Sequence, residues 1–248
     1  MVDLLNETCA DILRKRKYIR FAMRTEKRYW VMLWGWLVLS LAYAGNTDKE
    51  VEAKPHNAQT KNWPASWTVP EKFQDVFEIL IDDIPCLHNQ KIKIRKKKLS
   101  TTMTARPTWG SLIFRKRDNR TYLLQVNNDK TFDGVLYEDV PEMARVGLMM
   151  HELMHIKDYQ SRNFFGVVQR GWQYLSKSGK KKFEYEIDQM VMDAGYQNYL
   201  LLWALFIMEE SEASDAYKDF KRAIYRSPFD IFIDLDEDGI LQDSFLIL

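Results

Sequence analysis

"MMHELMHIKDY", residues 149–159, places two histidines four residues apart with a glutamate between them, inside an apolar run. On an α-helix, residues i and i+4 lie on one face. His151 and His155 would therefore point the same way, one turn apart, and Glu152 would stand one step round. Neutral imidazoles and carboxylates hold zinc at ~2.0–2.2 Å, and H-E-x-x-H on a helix pairs two such ligands with a general base. The internal positions, Leu153 and Met154, are uncharged, as a buried helix requires. Two histidines on an apolar face otherwise need polar partners.

The flanking residues support the helix. "VPEMARVGLMMHELMHIKDYQ" has Pro141 at its first turn and only Gly147 as an internal breaker. "KKKFEYEIDQMVMDAGYQNYLLLWALFIMEE" reads as a second long helical pattern. Its run "YLLLWALFIM" is ten residues, too short to span a bilayer and suited to a core helix. "SDAYKDFKRAIYRSP" is a third, stopped by Pro228.

A metal held by His151 and His155 needs a third ligand. The chain has only two other histidines, His56 and His88, both upstream. Positions 158 and 161 are Asp158 and Ser161, so the longer histidine motif HExxHxxGxxH is excluded. "FEYEIDQMVMDAGY" offers carboxylates instead. Glu184 and Asp188 are i,i+4 and share a face, whereas Glu186 points elsewhere. Glu184 is the expected metal ligand. Asp188 is the expected acceptor for the free ring N–H of one histidine, His151 being the first choice. A solvated helical face is the alternative reading of "EYEID".

HExxH followed about thirty residues later by ExxxD resembles the gluzincin metallopeptidases. "EYEID" is similar to the glutamate helix of HtpX-like and CAAX-prenyl-protease-like peptidases. The likeness covers roughly 140–195, strongest at the two motifs. It implies His151, His155 and Glu184 as ligands of one zinc ion and Glu152 as catalytic base. "IYRSP" stands where that family carries a His-Pro motif, with Arg226 and Ser227 here instead. Because the families' multiple membrane spans are also lacking, the chain looks more like a small, minigluzincin-like form. That resemblance implies an α+β, zincin-like domain with an N-terminal helix, a small antiparallel sheet, the HExxH helix and the glutamate helix, acting on peptide bonds of a peptide or protein substrate. Zinc would polarise the scissile carbonyl and acidify water, and Glu152 would move the proton. Tyr159, Tyr196, Tyr225 and Arg226 are candidate oxyanion donors, and the sequence does not choose among them. A non-catalytic binding or structural protein of the cell envelope on the same scaffold is the rival. Retention of Glu152 argues against it, because a structural site needs no base.

Upstream, a helix is expected from Pro70, with Phe73, Val76, Phe77, Leu80 and Ile81 as its buried face and Pro85 as its end. "KIKIRK" alternates apolar and basic residues and reads as a strand with one solvated face rather than an anion-binding surface. "LSTTMTAR" is rich in β-formers. "SLIFRKRDNRTYLLQVN" reads as a hairpin, with strands about 112–116 and 121–127. The second of these would be the sheet edge that pairs with an extended substrate.

The N-terminal part reads as a leader. Residues 1–29 hold eight Lys/Arg and four Asp/Glu, leaving 28 basic against 31 acidic residues in the rest of a chain whose net charge is +1. This balance gives no case for a nucleic-acid partner. "WVMLWGWLVLSLAYA" (30–44) follows the basic flank and ends in small residues. Residues 1–44 are read as a signal peptide, with Met23 a plausible natural start, or as a single uncleaved membrane anchor. Residues 45–66 form a linker and 67–248 the domain, exported to the periplasm or beyond, or anchored with the domain outside the cytoplasm. "DLDEDGILQDSF" (234–245) mimics a calcium loop at Asp234, Asp236, Asp238 and Gly239. Its twelfth position is Phe245 rather than Glu, so a surface turn is expected.

Overall fold

In the computed structural model, which describes Pro64 and residues 66–237, one helix runs through the middle of the molecule and the rest is arranged around it. This is α3, Glu142–Ser161, preceded by α1 (Gln74–Leu80) and α2 (Trp109–Phe114). Its residues from Ala144 to Tyr159 are buried except Arg145 and Lys157. A helix covered on nearly every side must be apolar all round. Gly147 is required here: a Cβ at this position would lie 2.1 Å from the backbone oxygen of Tyr199.

The sheet has four strands, β1 (Trp67–Thr68), β2 (Lys91–Lys97), β3 (Met103–Pro107) and β4 (Thr121–Asn127), in the order β1-β2-β4-β3. β2 pairs in parallel with both β1 and β4, and β3 pairs antiparallel with β4. The fold is thus α+β with a mixed sheet, not the antiparallel sheet expected. Tyr122, Leu124 and Val126 of β4 are buried in the core with Ile92, Met103 and Ala105. Burying a side chain the size of Leu124, Val126, Ile92 or Met103 contributes about 1.5–3 kcal/mol.

The expected hairpin is absent. Residues 109–114 form α2, capped by the Thr108 side chain, which accepts the Ser111 backbone N–H at 3.4 Å. The N-cap chemistry of "TWGS" overrides the apolar pattern that suggested a strand. β4 is consequently an interior strand between β2 and β3 and cannot add a substrate strand; the edges are β1 and β3. The N-terminal helix follows expectation, with Phe73, Val76, Phe77, Leu80 and Ile81 all buried. Pro85 does not simply end it but opens a 3-10 turn, Pro85–Leu87.

After α3 come α4 (Phe164–Gln173), α5 (Lys177–Asp193), α6 (Gln197–Leu205), α7 (Asp215–Ile224) and α8 (Pro228–Glu237). The long pattern 180–210 is two helices. Gly195, at φ 82°, adopts the left-handed conformation that ends α5. α6 continues as a π-turn through Phe206–Glu210 and buries Leu200, Trp203, Ala204, Ile207 and Met208. Among the described residues no helix is long and apolar enough to cross a membrane. Pro228 starts a helix rather than only stopping one. Ser227 and Asp230 cap it reciprocally, each side chain accepting the other's backbone N–H at 3.1–3.2 Å. The helix carries Asp234 and Asp236, so the first part of 234–245 is not a turn; Asp238 and Gly239 lie outside the described residues, as do residues 1–44, read from the sequence as a leader, and most of the segment 45–66, read as a linker.

Candidate metal centre

Helix periodicity builds this site from two elements. α3 places His151, Glu152 and His155 on its buried surface. α5 starts at Ser176, whose side chain accepts the Gly179 N–H at 3.0 Å, and it buries Phe183, Glu184, Ile187, Asp188 and Val191 as one stripe. Glu184 and Asp188 face α3 together. Glu186 lies half-exposed on another side and pairs with Arg170 at 2.6 Å.

His151 Nε2 lies 3.2 Å from Glu184 Oε2 and 3.2 Å from His155 Nε2, and His155 Nε2 lies 3.3 Å from the same Glu184 oxygen. All three side chains are buried, and the cluster could hold a metal ion. His151 Nδ1 stands 2.9 Å from Asp188 Oδ1, so it carries the hydrogen that this carboxylate accepts. In the neutral ring Nε2 is then a bare lone pair aimed at a carboxylate oxygen and a second imidazole. Three converging lone-pair donors sealed from water repel unless a proton or a cation lies among them. The donor set therefore fits a cation. Without one, a proton takes the place: burial pushes the His151 imidazole down, but hydrogen bonds to Asp188 and Glu184 and their charges outweigh it and lift it to about 10. Burial raises the Glu184 carboxyl, but the two histidines more than reverse this and hold it well below the usual carboxylate range.

Glu152 Oε2 and His155 Nδ1 are buried with no hydrogen-bond partner among the described residues. Burial raises the Glu152 carboxyl above its ordinary value, against the pull of His155 and His151. A lone buried carboxylate beside a potential metal site is costly to stability and is suited to proton transfer.

Asp188 is itself held in place, because its Oδ2 accepts the backbone N–H of Arg226 at 3.1 Å. The Arg226 guanidinium is committed elsewhere, to Asp234 at 2.8 Å and Gln189 at 2.7 Å. Arg226 thus serves the site through its backbone. Tyr196 is also remote: its hydroxyl donates to Asp83, beside Ile79. Tyr225 and Tyr159 do border the centre. The Tyr225 ring is 5.6 Å from that of His151, and the Tyr159 ring stacks 6.2 Å from that of His155. Burial, reinforced by Glu184, pushes both hydroxyls up, so both stay protonated as donors.

Two residues here carry no sequence signal. The Tyr174 hydroxyl donates to Glu184 Oε1 at 2.5 Å, which leaves Oε2 for the cluster. It lies just beyond α4, at no periodic spacing from either motif. Lys221 is buried without an ion pair among the described residues, its Nζ 4.4 Å from the Tyr225 ring centre and 3.3 Å from Thr101 Oγ1. In an amphipathic helix a lysine normally reads as solvated, and only the fold reveals it as buried. Compared with protein-family models, curated proteins and solved structures, the chain matches none.

Proposed function

We propose that the chain is a zinc-dependent metallopeptidase of gluzincin type on a small zincin-like scaffold. The single observation that supports this most is the triangle of His151, His155 and Glu184 donor atoms, with edges of 3.2, 3.2 and 3.3 Å. Ligands at ~2.0–2.2 Å around a tetrahedral centre stand roughly 3.3–3.6 Å apart. The cluster thus has nearly the dimensions of three corners of a zinc site, leaving the fourth for water or substrate.

Zinc, when bound, supplies a Lewis acid for the scissile carbonyl and for the attacking water. With a zinc ion held by His151, His155 and Glu184, Glu152 would take a proton from the attacking water and return it to the leaving amine, a role its raised affinity for protons supports. Asp188 fixes the His151 tautomer, and Tyr174 fixes the Glu184 rotamer. Tyr225 and Tyr159 are the remaining oxyanion donors. An extended substrate would pair with the free edge of β3, which packs along α3.

A second reading is favoured by one feature. His151, Glu152, His155 and Glu184 are at most 5% exposed, so the centre is closed as described. Closure suits a structural metal in a non-catalytic envelope protein. The buried Glu152, which such a site does not need, favours the enzyme. Peptide cleavage by the zinc-loaded wild type, lost in Glu152→Gln with the metal retained, is expected. No cleavage by the zinc-loaded wild type would leave the non-catalytic reading, and equal cleavage by both proteins would remove Glu152 as the base.

A further inference from the structure

Independently of the metal centre, the exposed side of β2 carries a concentration of positive charge with no ion-pair partner among the described residues. Lys91, Lys93, Arg95 and Lys97 alternate along β2 and are all exposed, while Ile92 between them is buried. Their neighbours in register are Thr68 on β1 and Thr121, Leu123, Gln125 and Asn127 on β4, none of them acidic. Next on that face, Arg106 of β3 bonds to Gln125. Among the described residues none of the four β2 cations forms an ion pair, nor do Arg115 and Lys116 at the end of α2, whereas Lys72, Lys98 and Arg117 each do. A strand that merely needed one wet face would carry mixed charges; this one carries a single sign.

α2 adds the second component. It stands beside β2 and β4, and between them lies an open groove of about 450 Å³ lined by Lys93, Arg95, Arg115, Thr121, Leu123 and Phe114. The outward side of this helix is apolar: Trp109 is 68% exposed, Ile113 54% and Phe114 84%. Aromatic and aliphatic side chains standing out of a basic surface have no gain in water. They suit the boundary of a bilayer, where rings sit at headgroup level and cations face lipid phosphates. A duplex phosphate backbone would use the cations and leave the protruding cluster without a role; a single strand would stack bases on Trp109 and Phe114 but has no use for Ile113, which is 54% exposed beside them.

We propose that this face docks on an anionic phospholipid surface, with lipid phosphates bound by Lys93, Arg95 and Arg115 in the groove and with Trp109, Ile113 and Phe114 entering the headgroup layer. The test is co-sedimentation of the full chain with vesicles of phosphatidylcholine alone or with phosphatidylglycerol added. Wild type should bind the anionic vesicles about ten-fold or more tighter, and raised salt should remove that preference. Lys93→Glu/Arg95→Glu/Arg115→Glu should lose the preference, and Trp109→Ser/Phe114→Ser should weaken binding several-fold. Lys93→Gln/Arg95→Gln/Arg115→Gln, a milder set, should show a partial loss and guards against misfolding of the reversal variant. No anionic preference in wild type overturns the proposal. So does a preference that survives in folded charge-reversal protein, which would assign it to the basic residues before position 30. Tight binding to a DNA duplex or to a single-stranded oligonucleotide, without vesicle binding, would reassign the face and also overturn it.

Discussion

His151 Nδ1 lies 2.9 Å from Asp188 Oδ1, and the other oxygen of Asp188 receives the Arg226 backbone N–H at 3.1 Å. One carboxylate therefore fixes both the tautomer of the first histidine and the chain leaving α7. Asp188→Asn should weaken zinc affinity by about 10–100-fold while the fold persists. Competition against a chelator, with circular dichroism as control, measures this. Unchanged affinity would show that Asp188 does not orient His151.

Tyr174 donates to the Glu184 oxygen that faces away from the histidines. In Tyr174→Phe that buried oxygen loses its donor. Zinc affinity should fall by about ten-fold, with less effect on stability than loss of Glu184 itself. The same chelator titration reads it out.

Asp158 joins three helices. It accepts two hydrogen bonds from Arg162, at 2.8 and 2.9 Å, and two from Arg170, at 2.8 and 3.1 Å, and Arg170 continues to Glu186 on α5. Burial raises its carboxyl, but the two guanidinium groups outweigh this and hold it below its ordinary value. A carboxyl lowered by folding stabilises the protein above its unfolded pKa, and this contribution is lost as pH falls through the folded value. Asp158→Asn should cost about 3 kcal/mol at pH 7. The difference from wild type should shrink as the pH is lowered below about 4. Thermal melts of both proteins across that range check the sign.

Gly147 touches the backbone at Tyr199 where α3 crosses α6. A methyl group would meet backbone that cannot rotate away, so the two helices would have to separate. Gly147→Ala should lose about 2–3 kcal/mol, despite the higher helix propensity of alanine. Denaturant unfolding measures it. A stabilised variant would show that the helices have slack at this crossing.

Much of this centre was legible because a helix turns periodicity into geometry. The four-residue spacing of His151 and His155, and of Glu184 and Asp188, fixed which side chains share a face. Glu186, one residue from the helical stripe, correctly read as turned away. The sheet was harder to read, because apolar runs do not distinguish a short helix from a strand. Thr108 and Ser111 held the relevant cap signal in "TWGS", and misreading it also misplaced β4 at an edge. "SPFD" likewise held the cap of α8 behind a proline that looked like a terminator. Gly195 breaks the long pattern through its left-handed backbone, and the apolar run beyond it made the two helices read as one. Tyr174 and Lys221 reach the site through tertiary packing, to which no local pattern corresponds.

The zinc assignment is tested most directly by metal analysis of wild type and His155→Ala, each purified, supplied with zinc and freed of loosely held ions. One zinc per wild-type chain and little or none in folded His155→Ala is the expected result. Wild type that retains no zinc, or His155→Ala that retains as much, would contradict a centre built from His151, His155 and Glu184.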